Sequence, residues 1–221
     1  MDRNVYSLVL FDDIVDAVDR MAYERNTSRS NLINQILAEY LSCPTPEMRI
    51  RDIFEGVEQS MRDIQCFQVQ FQPSDTMISI RSALKYRYKP TVRYVLELYR
   101  VSEPTVGELR VSMRTQSPSL IELLTGFFAF WTGLENKYIG RSFPEGRVYC
   151  RIEPGKYIRE FLPPENEDTR TNEAVASAIS DYIQMFDQSL KKYFAELDDL
   201  EDAEYDLENR YREFIRGREI L

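Results

Sequence analysis

The chain has no histidine among its 221 residues. That removes Ser-His-Asp and Cys-His catalysis and every metal site built on imidazole. Cysteine is scarce as well. Cys43, Cys66 and Cys150 lie far apart, with no Cys-x-x-Cys. An odd, scattered set fits reduced thiols in a cytoplasmic protein, not a disulfide framework. The eight glycines form no phosphate-cradling loop, and G-x-G-x-x-G, G-x-x-x-x-G-K-[ST] and G-x-S-x-G are absent. No apolar run approaches the roughly 18 residues of a membrane span, and no basic leader precedes one. Acidic pairs such as Asp12/Asp13 and Asp198/Asp199 suit a helix start and a solvated helix face, and no loop has the ligand spacing of a Ca²⁺ or Mg²⁺ site. The expectation is a cytoplasmic protein that is not an enzyme, makes no use of a membrane and needs neither metal nor cofactor.

What is present is enough for a core: 43% of residues are apolar, so the chain as a whole is not disordered. The net charge of −9 hides an uneven distribution. Residues 66–116 carry eight basic and four acidic side chains, whereas residues 165–221 carry seven and sixteen. An acidic total argues against indiscriminate nucleic-acid binding and leaves room for a local basic face.

At the N-terminus, residues 5–10 (Val-Tyr-Ser-Leu-Val-Leu) read as a short strand. Asp12 and Asp13 open a helix with an apolar stripe of Ile14, Val15, Val18, Met21 and Ala22. Asn26 suits the left-handed conformation that ends helices, and Ser28 is a good N-cap for a second helix striped by Leu32, Ile33, Ile36, Leu37, Tyr40 and Leu41. One strand and two short helices cannot bury a stable core alone. A two-fold dimer with antiparallel paired strands solves this, with Tyr6, Leu8, Leu10, Ile14, Val18, Leu32, Ile33, Ile36 and Leu37 as its core.

The residues Tyr6-Ser7-Leu8-Val9-Leu10, Asp12 to Asp19, and Arg25-Asn26-Thr27-Ser28-Arg29-Ser30-Asn31-Leu32-Ile33 resemble the ribbon-helix-helix fold of the Arc, MetJ and CopG-type repressors. The likeness covers Val5–Ser42, about a fifth of the chain. It implies a homodimer whose paired strands enter the major groove of double-stranded DNA, with Val5, Ser7 and Val9 facing the bases. It also implies phosphate contacts from Ser28, Arg29 and Ser30 at the second helix start, joined by Arg3 and Asn4. The ribbon departs from the family: members place hydrogen-bonding side chains at the base-facing positions, and two valines touch only thymine methyl groups. An apolar ribbon could equally be covered by protein, so a protein–protein interaction scaffold that uses this fold only to dimerise stays open.

Pro46 onward, Ile50, Ile53, Phe54, Val57 and Met61 mark a connecting helix over about 47–63, within a linker segment 43–65. Residues 67–115 switch to period-two alternation and predict an antiparallel meander of about four strands. An apolar helix over about 119–138 follows, then a hairpin of 147–153 and 156–161 around Pro154-Gly155. From about residue 169, Ala176, Ile183, Leu190 and Leu197 alternate with Ile179, Phe186, Tyr193, Leu200 and Leu207 at heptad spacing. This predicts a long helix or αα-hairpin, seated on the chain's own sheet or used for self-association. The fold class is therefore α+β, with residues 1–42 as the dimerisation and DNA-binding domain and residues 66–221 as an effector, oligomerisation or partner-binding domain.

In the meander, Arg81, Lys85, Arg87, Lys89, Arg93, Arg110 and Arg114 fall on one strand face. That face could hold an anion, an acidic effector or a protein partner, or could dock against the acidic C-terminal segment. Dimers bound side by side could form higher oligomers.

Overall fold

A computed structural model describes residues 5, 7–41, 43, 45–62, 64, 66–71, 75–87, 89–101, 104–165, 170–218 and 221. The chain divides into two compact units, Met1–Arg49 and Ile50–Leu221.

In the first unit, α1 spans Asp12–Glu24 and α2 spans Arg29–Leu41. Asp12 and Asp13 sit in the first turn of α1, where the helix dipole favours carboxylates. Asn26 adopts φ 49°, the left-handed conformation that turns the chain toward α2. Ser28 Oγ accepts from the Asn31 N–H at 3.2 Å, the bond of an N-cap. The two helices meet through buried Val18, Ala22 and Leu32, with Met21 and Ile33 half-buried beside them. That is a very small core. The described residues among 5–11 form no strand, because a strand needs a neighbour to pair with and the unit supplies none.

In the second unit the expected connecting helix, α3 (Pro46–Arg62), is a wall of the core, burying Ile50, Ile53, Phe54, Val57 and Met61. The strands are β1 (Phe67–Phe71), β2 (Met77–Ala83), β3 (Thr91–Leu98), β4 (Gly107–Met113), β5 (Cys150–Glu153) and β6 (Lys156–Phe161). They form one antiparallel sheet in the order β1-β2-β3-β4-β6-β5. The first four make the expected meander. The chain then crosses through α4 (Pro118–Ile139), begun by Ser117 and Pro118, and returns as the β5–β6 hairpin, whose inner strand pairs with β4. Gly155 takes φ 68° at the hairpin tip, as a Pro-Gly turn requires. Gly107 is needed for a different reason: a Cβ there would lie 2.2 Å from the Glu97 carbonyl oxygen.

Helices α5 (Asn172–Ala195) and α6 (Leu200–Phe214) complete the unit as an αα-hairpin. Asp199 caps α6, accepting from the Asp202 N–H at 3.4 Å, so the acidic run sets the break between the two. The heptad seam packs on the chain's own sheet: Ile179, Ile183, Phe186, Leu190 and Leu207 are fully buried. Phe186 lies against Tyr94 of β3 and Tyr157 of β6, and Tyr211 of α6 meets Trp131 of α4. Helices thus cover one face of the sheet. Cross-strand register puts Val69, Ile80, Tyr94, Val111 and Tyr157 on that face. Among the described residues of the second unit, no helix lies on the opposite face.

Candidate nucleic-acid interface

The N-terminal unit exposes what a single copy cannot bury. Val5 and Val9 are 99% and 102% exposed, and Ser7 is exposed with them. Of the residues expected in a dimer core, Val18 and Leu32 are buried between α1 and α2, and Ile33 is half-buried. Leu8, Leu10, Ile14, Ile36 and Leu37 are exposed at 61%, 38%, 46%, 42% and 45%. Phe11, Tyr23, Tyr40 and Leu41 of the same unit are exposed as well. Among the described residues of the second unit, only Val101 and Tyr205 are comparably exposed. Arg3, Asn4 and Tyr6 lie outside the described residues.

Ser28, Arg29 and Ser30 begin α2 and are exposed, and Arg29, expected at a phosphate, already has a partner within the unit. Its guanidinium is clasped by the Asp19 carboxylate of α1, through Nε and Nη2. The Ser28 hydroxyl is likewise occupied as the cap. What points outward is the backbone: the first-turn N–H groups of a helix have no intrahelical acceptor.

The expected seven-cation strand face is also redrawn. The β2 strand ends at Ala83, so Lys85, Arg87 and Lys89 lie in the β2–β3 turn, and Arg114 lies just past β4. Alternation survives there without a strand. Leu84 is buried and Tyr86 packs edge-on against Phe194 of α5 at 5.3 Å, while Lys85, Arg87 and Lys89 stay exposed. Arg81 stands directly opposite Arg93 on the open face, and Arg93 Nε donates to Ser79 Oγ at 3.0 Å. Arg110 is not available to a ligand: Glu97 and Glu108 both bind its guanidinium. Among the described residues, no acidic side chain of the C-terminal segment pairs with these exposed cations, and α5 and α6 pack on the other face of the sheet.

The open face is electrically graded. One cross-strand row reads Glu97, Glu108 and Glu160, and a second holds Ser79, Val95, Arg110 and Ile158. A third reads Gln68, Arg81, Arg93, Ser112 and Lys156, and the cationic turn follows at that end. Tyr99 donates to Glu108 at 3.2 Å, and burial together with Glu108, Glu160 and Glu97 pushes its hydroxyl up to about 12.

Alternation already puts Arg159 of β6 between Tyr157 and Phe161 on the covered face, and Glu135 interrupts the apolar stripe of α4. Sequence reasoning missed that the two form a fully buried ion pair at 2.9 Å. Glu135 also accepts from the Tyr157 hydroxyl at 2.7 Å and the Tyr182 hydroxyl at 3.2 Å. Trp131 Nε1 donates to Tyr182 at 3.1 Å, and Arg159 Nη2 to the Leu221 carbonyl at 2.7 Å. The cluster resembles a structural lock more than a reactive site, since every charged group in it is paired. Burial, before the Glu135 carboxylate, pushes Tyr157 and Tyr182 well above the ordinary phenol range, and burial with Asp187 does the same for Tyr94. Because these folded values lie above the unfolded one, the stability they carry is complete below about pH 10 and is lost as pH rises through them. Phenolate absorbance should therefore rise in two phases, the second coinciding with unfolding. A single smooth phase near pH 10 in a folded protein would contradict this arrangement.

Two cavities bear on ligands. One, of about 30 Å³, is lined by Ile139, Phe161, Tyr182 and Tyr211; the other, about 220 Å³, lies between α3 and α5 beside Asp52, Gly56 and Asn172. Both fall below the roughly 300 Å³ at which small-molecule pockets begin. Among the described residues no group of three Cys, Asp or Glu side chains could hold a metal ion, and no helix is long and apolar enough to cross a membrane. Burial pushes the Cys150 thiol up, against the trend of a nucleophile. No family model, curated protein or solved structure matches the chain.

Proposed function

We propose that the protein is a homodimeric, DNA-binding transcriptional regulator of ribbon-helix-helix type, with residues 50–221 as its oligomerisation or partner-binding body. One observation carries this reading: among the described residues, eleven of the thirteen exposed large apolar side chains fall between Val5 and Leu41, around a small core of Val18, Ala22 and Leu32. Such a surface is an association surface. Two copies pairing residues 5–10 antiparallel would bury Leu8 and Leu10 with Ile14, Ile36 and Leu37, and would leave Val5, Ser7 and Val9 as the outward ribbon. The exposed start of α2 supports backbone N–H contacts to phosphate.

Selection of bound fragments from sheared genomic DNA tests the proposal. Enrichment of a few two-fold symmetric sites, with affinity falling steeply between about 50 and 200 mM salt, supports it. No enrichment from a folded dimer refutes it. The Asp19–Arg29 clasp provides an internal check. Asp19→Asn frees Arg29 at the cost of a solvent-exposed pair worth at most about 1 kcal/mol. Affinity for all duplex sequences should rise several-fold, with the salt slope steeper by about one per protomer. Unchanged binding would remove Arg29 from the interface.

A second reading has its own support. Residues 1–49 carry five basic and eight acidic side chains, and the ribbon valines offer no hydrogen bond to a base edge. In that reading the unit is a dimer clamp whose ribbon receives a strand or loop of another protein. Changes at Val5 and Val9 discriminate: they alter DNA sequence preference in the first reading and abolish capture of a protein in the second.

A further inference from the structure

We infer that the cationic end of the open sheet face, formed by Arg81, Lys85, Arg87, Lys89, Arg93 and Arg114, is a second duplex-DNA contact that supplies phosphate neutralisation the N-terminal unit lacks. The inference rests on the DNA-binding reading above.

Affinity for duplex DNA is dominated by cations that neutralise phosphates. In the first unit that resource is thin, with an acidic balance and with Arg29 committed to Asp19. The second unit holds the opposite. Residues 66–116 carry eight basic and four acidic side chains in an acidic chain, and the structure gathers most of these cations at one end of the sheet. Elsewhere on this face cations are neutralised: Arg110 by Glu97 and Glu108, Lys156 and Arg151 by Glu153. Arg81, Lys85, Arg87, Lys89 and Arg114 make no ion pair among the described residues, and Arg93 reaches only a serine hydroxyl.

The fold holds these charges together against their repulsion. Arg81 opposite Arg93 is a like-charge cross-strand pair, which is destabilising unless an anion sits between its members. Lys89 keeps a left-handed backbone at φ 43°, an uncommon conformation for a residue with a side chain. The turn is closed by Leu84 N–H to the Pro90 carbonyl at 2.9 Å and anchored through Leu84 and Tyr86, so its cations are presented from an ordered base. The glutamate row at the far end limits the contact to one end of the face, since phosphates are repelled there. Among the described residues of this end of the sheet, Tyr86 and Tyr94 face the core and offer no stacking platform for unpaired bases, which favours duplex over single strands.

The test uses the full chain and a random-sequence duplex of about four helical turns, titrated by fluorescence anisotropy across a salt series. Lys85→Gln/Arg87→Gln/Arg114→Gln removes three exposed charges per protomer without touching the core. If each meets one phosphate in both copies of a dimer, the slope of log affinity against log salt becomes shallower by about five. Affinity at about 100 mM salt falls more than ten-fold. The charge-retaining Lys85→Arg/Arg87→Lys/Arg114→Lys variant keeps the wild-type slope. Wild-type binding with an unchanged slope in the glutamine variant overturns the inference and leaves the DNA reading standing. Absence of wild-type binding at any salt overturns both. Salt-sensitive self-association lost in the glutamine variant, without DNA binding, assigns the patch instead to the acidic α6 of a second copy.

Discussion

Leu37→Glu is expected to convert a dimer of twice 26.1 kDa into a monomer at micromolar concentration, read by sedimentation or light scattering. Leu37 is 45% exposed and does not belong to the small core of Val18, Ala22 and Leu32, so the single unit hardly needs it. In a two-fold dimer the same position is buried twice. Losing a buried leucine removes roughly 1.5–3 kcal/mol per site, and setting a carboxylate in apolar surroundings adds more. Counted over both copies, association should be weakened by about three orders of magnitude or more. The second unit is unaffected, and this can be seen directly. The chain has one tryptophan, Trp131, which sits in the core of that unit, so its fluorescence reports the second unit alone. Monomerisation with an unchanged Trp131 unfolding midpoint, and with DNA binding abolished, fits the proposal. A Leu37→Glu protein that remains dimeric places the dimer contact elsewhere and removes the ribbon from it.

The parts of this molecule legible from sequence are those governed by local rules. Periodicity placed α3 through α6 and the meander, because side chains repeating every 3.6 or two residues must face one core. Asn26, Ser28, Ser117-Pro118 and Pro154-Gly155 marked turns and caps through their own backbone chemistry. Two kinds of information were not legible. Where strand β2 ends depended on the closure of the Leu84–Pro90 turn, and alternation of Lys85, Tyr86 and Arg87 continued past that end, so a turn read as a strand. Pairing between distant residues was also hidden. That Glu97 and Glu108 neutralise Arg110, that Asp19 holds Arg29, and that α5 and α6 take the face opposite the cations all follow from three-dimensional register. The candidate site was therefore visible as a set of residues, and its free charges were not.

Those pairings also determine how the two units divide their work. The first unit has apolar surface to spare and few free cations; the second has a closed core and a concentrated cationic end. In the proposed regulator, association and electrostatic attraction would thus be carried by different parts of the chain. A substitution at Leu37 and one at Arg87 should act on different observables, oligomeric state and salt dependence.

The largest effects on stability are expected at the buried pair of Glu135 and Arg159. Arg159 Nε lies 2.9 Å from Glu135, and its guanidinium is packed between the rings of Phe161 and Tyr182, with centroid distances of 4.9 and 4.5 Å. Neither side chain reaches water. Glu135→Gln keeps the shape and an acceptor for the Tyr157 and Tyr182 hydroxyls, but it leaves an arginine that cannot give up its proton in an apolar layer. Arg159→Met leaves the carboxylate with two tyrosine donors and no cation. Removing one partner of a buried pair costs about 3–5 kcal/mol, whereas replacing both by well-packed neutral groups is often near neutral. The combined Glu135→Gln/Arg159→Met protein should accordingly be more stable than either single variant, with the difference read from urea unfolding followed through Trp131, whose indole donates to Tyr182 beside the pair. Strict additivity of the two losses would show that the guanidinium and carboxylate do not act as a unit. Recovery in the double variant would show that the charge itself, not the packing volume, is what each single change leaves uncompensated.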